Sequence, residues 1–538
     1  MSRADPGAGT RPARPGPGLI AEIEAIAGDG TLVTIVHRAA ERWPDKVAWT
    51  FDPGGERLTF ADVASRSARY ARVLHERGVR SGDRVAVLVA NEPGFPLSWL
   101  ALARLGAVMV PVNTRYQTAD AGHVLRASGA SGIVAAPGFA PLLARLARDI
   151  PALERVLYLD EIDRAAADAP DAEPPGGDPD PAGTVNIQFT SGTTGRPKGC
   201  VLPHRYWTRL AAGLITEFPY LSERDVMLTA QPFHYIDPQW NVAAALLAGA
   251  GLVILDGFHP ASFWQRVREH GVTYFYCLGA MPTLLLRMPP SPQDCQNAVR
   301  VVQCSAIPPA LHAELEERWG VSWYEAFGMT ETGADLRVTD ADHDELVGTG
   351  CLGLPVSYRE ARIADPAGRP LPAGQAGELL LRGPGMMDGY AGDPQATEAV
   401  FRGGWMHTGD LARMDERGRV YLVGRLKDMI RRSGENVAAR EVEDVLQAHP
   451  RVAQAAVTGV PDEVRGEEVK AYYVAPGVTP DELAAFCRER LAAFKVPRYW
   501  QPADDLPRTS GSERVAKAAL ADLAGPVYDV VTGAWSTP

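Results

Sequence analysis

The stretch that most constrains this chain is Phe189-Thr190-Ser191-Gly192-Thr193-Thr194-Gly195-Arg196-Pro197-Lys198-Gly199, directly after the β-like run Thr184-Val185-Asn186-Ile187-Gln188. Glycine admits positive φ, so a loop built on Gly192 and Gly195 can bring its backbone N–H groups close to an anion. The hydroxyls of Thr190, Ser191, Thr193 and Thr194 and the ammonium of Lys198 add donors and positive charge for a polyphosphate. The order is not that of a Walker A loop, because Lys198 precedes Gly199 instead of following a glycine and preceding Ser or Thr. Taken alone, such a loop is a linker as readily as a phosphate cradle, and the rest of the chain must decide.

A chain of 538 residues exceeds one ordinary core, so two or more domains are expected. A hydrophobic fraction of 46% with 22% charge is that of a globular enzyme. The net charge of −12 offers no basic excess to displace counterions from nucleic acid, although a nucleotide needs only a local nest of donors. The cysteines (Cys200, Cys277, Cys295, Cys304, Cys351, Cys487) form no CxxC pair and no HExxH string occurs, which predicts buried reduced thiols and no dedicated zinc site. Residues 1–18, rich in Pro, Gly and Arg, lack the apolar centre of a signal peptide and read as a disordered tail. The longest apolar run, Val242 to Leu255, is too short to span a bilayer. These features predict a cytoplasmic protein with no nucleic-acid or membrane partner; oligomeric state is not readable.

Thr59 to Gly78 reads as a capped helix, Asp83 to Val89 as a strand, Pro96 to Leu105 as a helix and Ala107 to Val112 as a strand, the alternation of a parallel sheet. Ala165 to Gly183 reads as a linker into the glycine-rich loop. A second alternation runs through Ala243–Leu247, Gly251–Leu255, Ala261–His270, Val272–Cys277, Val299–Gln303 and Pro309–Trp319. After Leu352 the texture turns to Gly/Pro-punctuated β runs such as Gly377–Arg382, and from Lys427 a fresh αβ pattern begins. The expected fold is α/β: a large N-terminal domain (19–426) of parallel α/β sheets with a β-rich subdomain, and a small mobile α+β lid (427–538).

Three further strings follow in order. Tyr324-Glu325-Ala326-Phe327-Gly328-Met329-Thr330-Glu331 offers an aromatic face, a glycine for close approach and a carboxylate suited to a metal-bound phosphate. His407-Thr408-Gly409-Asp410 sets a carboxylate at a tight turn, able to accept from both hydroxyls of a ribose. Gly424-Arg425-Leu426-Lys427-Asp428 closes the series. Together with TSGTTGRPKG they resemble the phosphate loop, YGxTE, TGD and hinge motifs of the adenylate-forming superfamily of acyl-CoA synthetases, adenylation domains and luciferases, and the chain is most similar to the acyl-CoA synthetase branch. The resemblance implies ATP, AMP or an acyl-AMP bound by residues 190–195, Lys198 and the 325–330 string, with Phe327 on adenine, Gly328 and Met329 beside it, and Thr330 on phosphate. It implies Glu331 on Mg²⁺, Asp410 and Arg425 on ribose, and Lys427 as the pivot of a lid rotation. Glu325 stands where the family often has a neutral amide and is expected to accept from the adenine amino group. Gly434, in Ser433-Gly434-Glu435-Asn436, would line a pantetheine tunnel for CoA, and His234 matches the gate residue of CoA-using members. The acyl pocket is expected around Tyr235, Asp237, Trp240, Leu278, Gly279, Cys304, Ser305 and Ala306. Cys304 is expected at a position often glycine, altering the pocket floor. Tyr235 and Trp240 suggest a mainly apolar acid, and Asp237 either pairs with a polar group on it or caps a helix.

The chain departs from the family at the lid lysine of PxTxxGK. In Pro507-Arg508-Thr509-Ser510-Gly511-Ser512-Glu513-Arg514-Val515-Ala516-Lys517 an ungapped count puts Glu513 there, and one inserted residue puts Arg514 there. Arginine keeps the charge but spreads it over a wide, rigid fork. The expectation is therefore weak or absent adenylation with thioester formation retained, the acyl-adenylate coming from a separate adenylating enzyme. The alternative is a conventional ATP-dependent carboxylate–CoA ligase; a carrier-loading adenylation enzyme and a nucleotide-binding pseudoenzyme follow. No GxSxG occurs, so a serine hydrolase is not supported.

Overall fold

The computed structural model describes residues 15–172, 179–190, 197–432, 435–462, 465–509 and 515–536. Three sheets organise them. A seven-stranded sheet carries parallel strands Val108–Pro111, Arg84–Leu88, Gly132–Ala135 and Arg155–Tyr158, and Thr184–Thr190 joins it beside Val108–Pro111. Its far edge is antiparallel: Thr184–Thr190 pairs with Lys198–Pro203, which pairs with Gly389–Tyr390. The expected all-parallel sheet is thus mixed, because the glycine-rich segment is short enough to fold the chain straight back on itself. A fourteen-stranded sheet runs from a parallel half, including Tyr274–Leu278, Val301–Ser305 and Trp323–Met329, into an antiparallel half made by Glu360–Ala364, Ala376–Arg382, Trp405–Met414 and Val420–Arg425. A second seven-stranded sheet starts at Met429–Arg432 and holds Gln454–Asp462 and Gly466–Val474 against the helix Ala439–Gln447.

One hydrophobic core joins the first two sheets. The helices Gly94–Arg104 and Ile236–Ala248 lie in it, and every residue of Gly94–Arg104 is buried. A helix apolar on all sides, as Phe95-Pro96-Leu97-Ser98-Trp99-Leu100 is, has no face for water and settles between layers. The run Val242 to Leu255 is divided between the helix Ile236–Ala248 and the strand Gly251–Leu255; the helix residues with Leu252 and Ile254 join this core, while Val253 and Leu255 face a second one. Among the described residues no helix is long and apolar enough to cross a membrane.

Several boundaries differ from the expected ones. A helix, Pro17–Asp29, begins inside the segment expected as a tail, with proline at its first turn where the missing N–H costs nothing. The helix Leu159–Asp168 takes the first residues of the expected linker. Cys295 is exposed, while the other five cysteines are buried.

Candidate active site

The strand Thr184–Thr190 delivers the chain to the edge of the first sheet, and Thr190 pairs with Lys198 across the ladder. The segment between them is therefore closed at its base. Ser191, Gly192, Thr193, Thr194 and Gly195 lie outside the described residues, as do Gly434, Glu513 and Arg514. Lys198 Nζ stands 5.1 Å above the ring of Tyr390, and Tyr390 Oη donates to Glu331 Oε1 at 2.9 Å. One tyrosine thus joins the loop lysine to the candidate metal carboxylate. Nothing in the local sequence around Tyr390 announces this, because the contact depends on Gly389–Tyr390 pairing with Val201 and Cys200.

Glu331 leaves a hairpin formed by Trp323–Met329 and Gly333–Arg337. A Cβ on Gly328 would sit 2.0 Å from the Gly333 carbonyl oxygen, so only glycine fits there. Phe327 rests partly against the β-rich core and is otherwise half-exposed, with Met329 and Thr330 also half-exposed beside it. Asp410 faces Arg425 across the ladder, Asp410 Oδ1 to Arg425 Nε 2.6 Å, and is 1% exposed. Gly409, at φ +70°, lies inside the strand Trp405–Met414 where its register against Ala376–Arg382 shifts, so an irregularity of the strand stands in place of the expected tight turn. Lys427 follows in a single 3₁₀ turn, Leu426–Asp428, and partial burial lowers its pKa.

Two expectations fail on strand geometry. Side chains alternate across a sheet, and Cys304, paired with Cys277 and Glu325, points to the face that packs on Trp264 and Trp319. Cys304 is fully buried there and is no pocket floor; its neighbour Ser305 takes the opposite face. Glu325 is 5% exposed on the same buried side, where Oε1 accepts Ala306 N–H at 2.6 Å and Oε2 accepts Ile307 N–H at 2.9 Å. Its carboxylate holds the 305–307 turn instead of reaching towards a base. Ala306 adopts φ +67°, a strained conformation for a non-glycine residue, and that hydrogen bond helps hold it.

Burial pushes the Glu325 carboxyl up to about 7, against the two N–H bonds that pull it down. The native protein then binds the proton more tightly than the unfolded chain, whose carboxyl titrates near 4.5. Stability contributed at this position should fall as pH rises from about 4.5 to about 7 and level off above. Urea midpoints at pH 5.5 and 8 should differ more for the wild type than for Glu325→Gln.

His234 is 5% exposed, and burial, aided by the Arg115 charge, lowers its pKa to about 3. It is a neutral imidazole at working pH, fit for gating and packing rather than proton transfer. A buried chain of amides fixes its backbone: Trp99 Nε1 donates to Asn186, Asn186 to Gln239, Gln239 to Gln188, and Gln188 to the His234 carbonyl, at 2.8–3.0 Å. This chain ties the strand entering the glycine-rich loop to the His234 segment. In the sequence it shows only as two amides, Asn186 and Gln188, at alternate positions between Val185, Ile187 and Phe189.

Of the residues expected at the acyl pocket, Tyr235, Asp237 and Trp240 open the helix Ile236–Ala248, Leu278 and Ser305 end two adjacent parallel strands, and Gly279 follows in a turn. Trp240 and Tyr276 meet edge to face at 5.3 Å, and Tyr276 Oη lies 2.6 Å from Ser305 Oγ. Tyr276 was not anticipated; it lies within a strand that was. In the C-terminal domain, Val452 accepts a hydrogen bond from Arg287 at 2.8 Å, and Lys517 is held by Glu443 at 2.7 Å and Asp428 at 3.5 Å.

These elements carry the signature of a known family. Residues 36–391 match the AMP-binding enzyme family and residues 441–512 the AMP-binding enzyme C-terminal domain. The chain belongs to the AMP-binding enzymes. It is 36% identical over 477 residues to a feruloyl-CoA synthase from Amycolatopsis sp, covering 87% of this chain and 94% of that one. A crotonobetaine/carnitine–CoA ligase from Citrobacter koseri is 32% identical over 524 residues, 91% and 99% of the two chains. Among solved structures, the o-succinylbenzoate CoA synthetase of Bacillus subtilis with its acyl-adenylate intermediate superposes with a TM-score of 0.82 at 27% identity, covering 91% of this chain and 98% of that one. ATP-bound MatB from Rhodopseudomonas palustris gives 0.83 at 29%, with the same coverage. This AMP-binding enzyme is an acid–thiol ligase of the acyl-CoA synthetase type.

Proposed function

We propose that this enzyme joins a small carboxylic acid to CoA through an acyl-adenylate, and that adenylation is its weaker half-reaction. The observation that supports the ligase reading is the convergence of Lys198, Tyr390 and Glu331 at the mouth of the glycine-rich loop. Lys198 would face the phosphates, Glu331 would hold Mg²⁺, and Asp410 with Arg425 would take the ribose. A bound magnesium ion offsets phosphate charge. Phe327 supplies a half-exposed aromatic face for the base. The CoA synthetases and CoA ligases among the relatives support CoA as the acceptor thiol, with His234 as a neutral wall of its channel. Residues 427–538 act as the lid, turning on Lys427.

The limit on adenylation rests on sequence. Neither Glu513 nor Arg514 supplies the compact ammonium that offsets repulsion between a carboxylate and the α-phosphate. Lys517, paired with Glu443 and Asp428, is engaged within the lid. Thioester formation needs no such lysine, so an acyl-adenylate made elsewhere would also serve as substrate. Two reactions decide: carboxylate, ATP, Mg²⁺ and CoA in one, synthetic acyl-AMP and CoA in the other. Product from the second at a far higher rate supports the limit; equal rates show a conventional two-step ligase.

Tyr390→Phe keeps the ring under Lys198 and removes the hydrogen bond to Glu331. A hydrogen bond to a charged group is worth about 1.5–3 kcal/mol, so ATP-dependent pyrophosphate exchange should fall roughly tenfold to a hundredfold. The acyl-AMP to acyl-CoA rate should stay the same.

A further inference from the structure

Resting on the reading of His234 as a wall of the CoA channel, we infer that Gln188 is a positioning residue for thioester formation, holding that wall through the His234 backbone carbonyl. Pro232 to Tyr235 form a turn between the strand Val226–Thr229 and the helix Ile236–Ala248, so the carbonyls of Phe233, His234 and Tyr235 have no sheet ladder to join. Two side-chain amides take all three. Gln239 Nε2 lies 3.0 Å from the carbonyl oxygens of Phe233 and of Tyr235, and Gln188 Nε2 donates to that of His234 at 2.8 Å. Asn186, Gln188 and Gln239 are 0–3% exposed, where an unmade hydrogen bond is costly. At His234 itself Nε2 is buried and, among the described residues, has no hydrogen-bond partner, while the ring meets Tyr235 edge to face at 4.4 Å. The imidazole therefore takes its direction from packing and from the backbone that carries it, and Gln188 fixes that backbone.

The polarity of the amide series is set at its two ends. The Trp99 indole can only donate, so Asn186 turns Oδ1 to it and Nδ2 to Gln239 Oε1. Gln239 then presents Nε2 to its other neighbours, Gln188 Oε1 among them at 3.0 Å. Gln188 is left with its donor for the His234 carbonyl, which can only accept. No amide in the series can flip without setting donor against donor or acceptor against acceptor. Gln239 has two hydrogens for three acceptors, so it stays satisfied without Gln188, and Phe233 and Tyr235 stay held. The group orphaned by removing the Gln188 amide is the His234 carbonyl. To find another donor that peptide must turn, and the imidazole turns with it. Tyr235, on the side towards the acyl pocket, keeps its bond to Gln239, so the disturbance falls on the thiol side.

The test uses the full-length enzyme with CoA and four synthetic adenylates, acetyl-, hexanoyl-, benzoyl- and cinnamoyl-AMP, with kinetics taken on whichever the wild type converts fastest. Gln188→Met, similar in length and without polar hydrogens, should raise KM for CoA about tenfold, as a misplaced binding group does, and leave KM for the acyl-AMP within about twofold. Gln188→Asn, one methylene shorter, keeps an amide for Gln239 but falls short of the His234 carbonyl; it should show the same split even if the methionine variant fails to fold. His234→Ala should raise KM for CoA by itself, and adding Gln188→Met should change that value by less than about twofold, because a residue that acts through His234 has nothing left to act on. An amide that merely supports the core would multiply the two losses. The inference is overturned, with the ligase reading intact, by an unchanged KM for CoA in the Gln188 variants or in His234→Ala. An equal rise in KM for CoA and acyl-AMP, or losses that multiply in the His234→Ala background, overturns it in the same way. If none of the four adenylates gives a thioester with the wild type, the ligase reading falls and this inference with it.

Discussion

Arg514→Lys should raise ATP-dependent formation of the acyl-adenylate about a hundredfold and leave conversion of supplied acyl-AMP to acyl-CoA unchanged. When a carboxylate attacks the α-phosphate, two anions approach one another, and a compact ammonium between them lowers the barrier. A guanidinium holds the same charge on a planar fork whose donors diverge, so it serves two separated acceptors better than one crowded point. One well-placed donor to a developing anion is worth about 10²–10³ in rate, and restoring it should recover the lower part of that range. Pyrophosphate exchange measures the first half-reaction and single-turnover consumption of acyl-AMP the second. A wild type already fast in exchange, with Arg514→Lys neutral, would show that arginine suffices and that both half-reactions belong to this chain.

Order and type of the elements were legible because the chain is locally consistent. Thr59 caps the helix Phe60–Glu76 through a reciprocal bond with Asp62, and the helix Gly94–Arg104, apolar but for Ser98 and Arg104, lies between layers. The functional strings were legible because glycines such as Gly328 and Gly409 are fixed by local backbone geometry. What sequence could not supply was facing. Cys304 read as a pocket residue and Glu325 as an adenine contact until their strands were paired, and a shift of one position exchanges the faces of a strand. Tyr390 and the amide chain through Asn186, Gln239 and Gln188 are long-range contacts with no local pattern. Trp240 and Ser305, both expected at the acyl pocket, meet at Tyr276, which reads as an ordinary strand residue.

Asp335→Asn should cost about 3–5 kcal/mol and disable adenylation with it. Asp335 and Arg359 are both fully buried, Asp335 Oδ1 and Arg359 Nε 2.8 Å apart as a charge contact, not an aligned hydrogen bond. Thr332 Oγ1 donates to the other Asp335 oxygen, and Arg359 Nη2 donates to the Thr332 carbonyl at 2.7 Å and Nη1 to that of Pro384 at 3.2 Å. Removing the acid strands a guanidinium in the core, and an uncompensated buried charge accounts for a loss of that size. The pair sits under the turn that carries Glu331, whose carbonyl accepts Met387 N–H at 2.9 Å and whose carboxylate accepts from Tyr390. When the turn moves to hydrate Arg359, Glu331 leaves Tyr390 and Lys198, so pyrophosphate exchange should fall further in Asp335→Asn than in Tyr390→Phe. A double change, Asp335→Leu with Arg359→Met, removes both charges and should recover most of the stability, because apolar replacement of a buried pair is often neutral or favourable. Urea unfolding of the two variants checks the energetics. If Asp335→Asn lies within about 1 kcal/mol of wild type, or the double variant is no better than the single, the pair does not support the turn and Glu331 is held by its own hairpin.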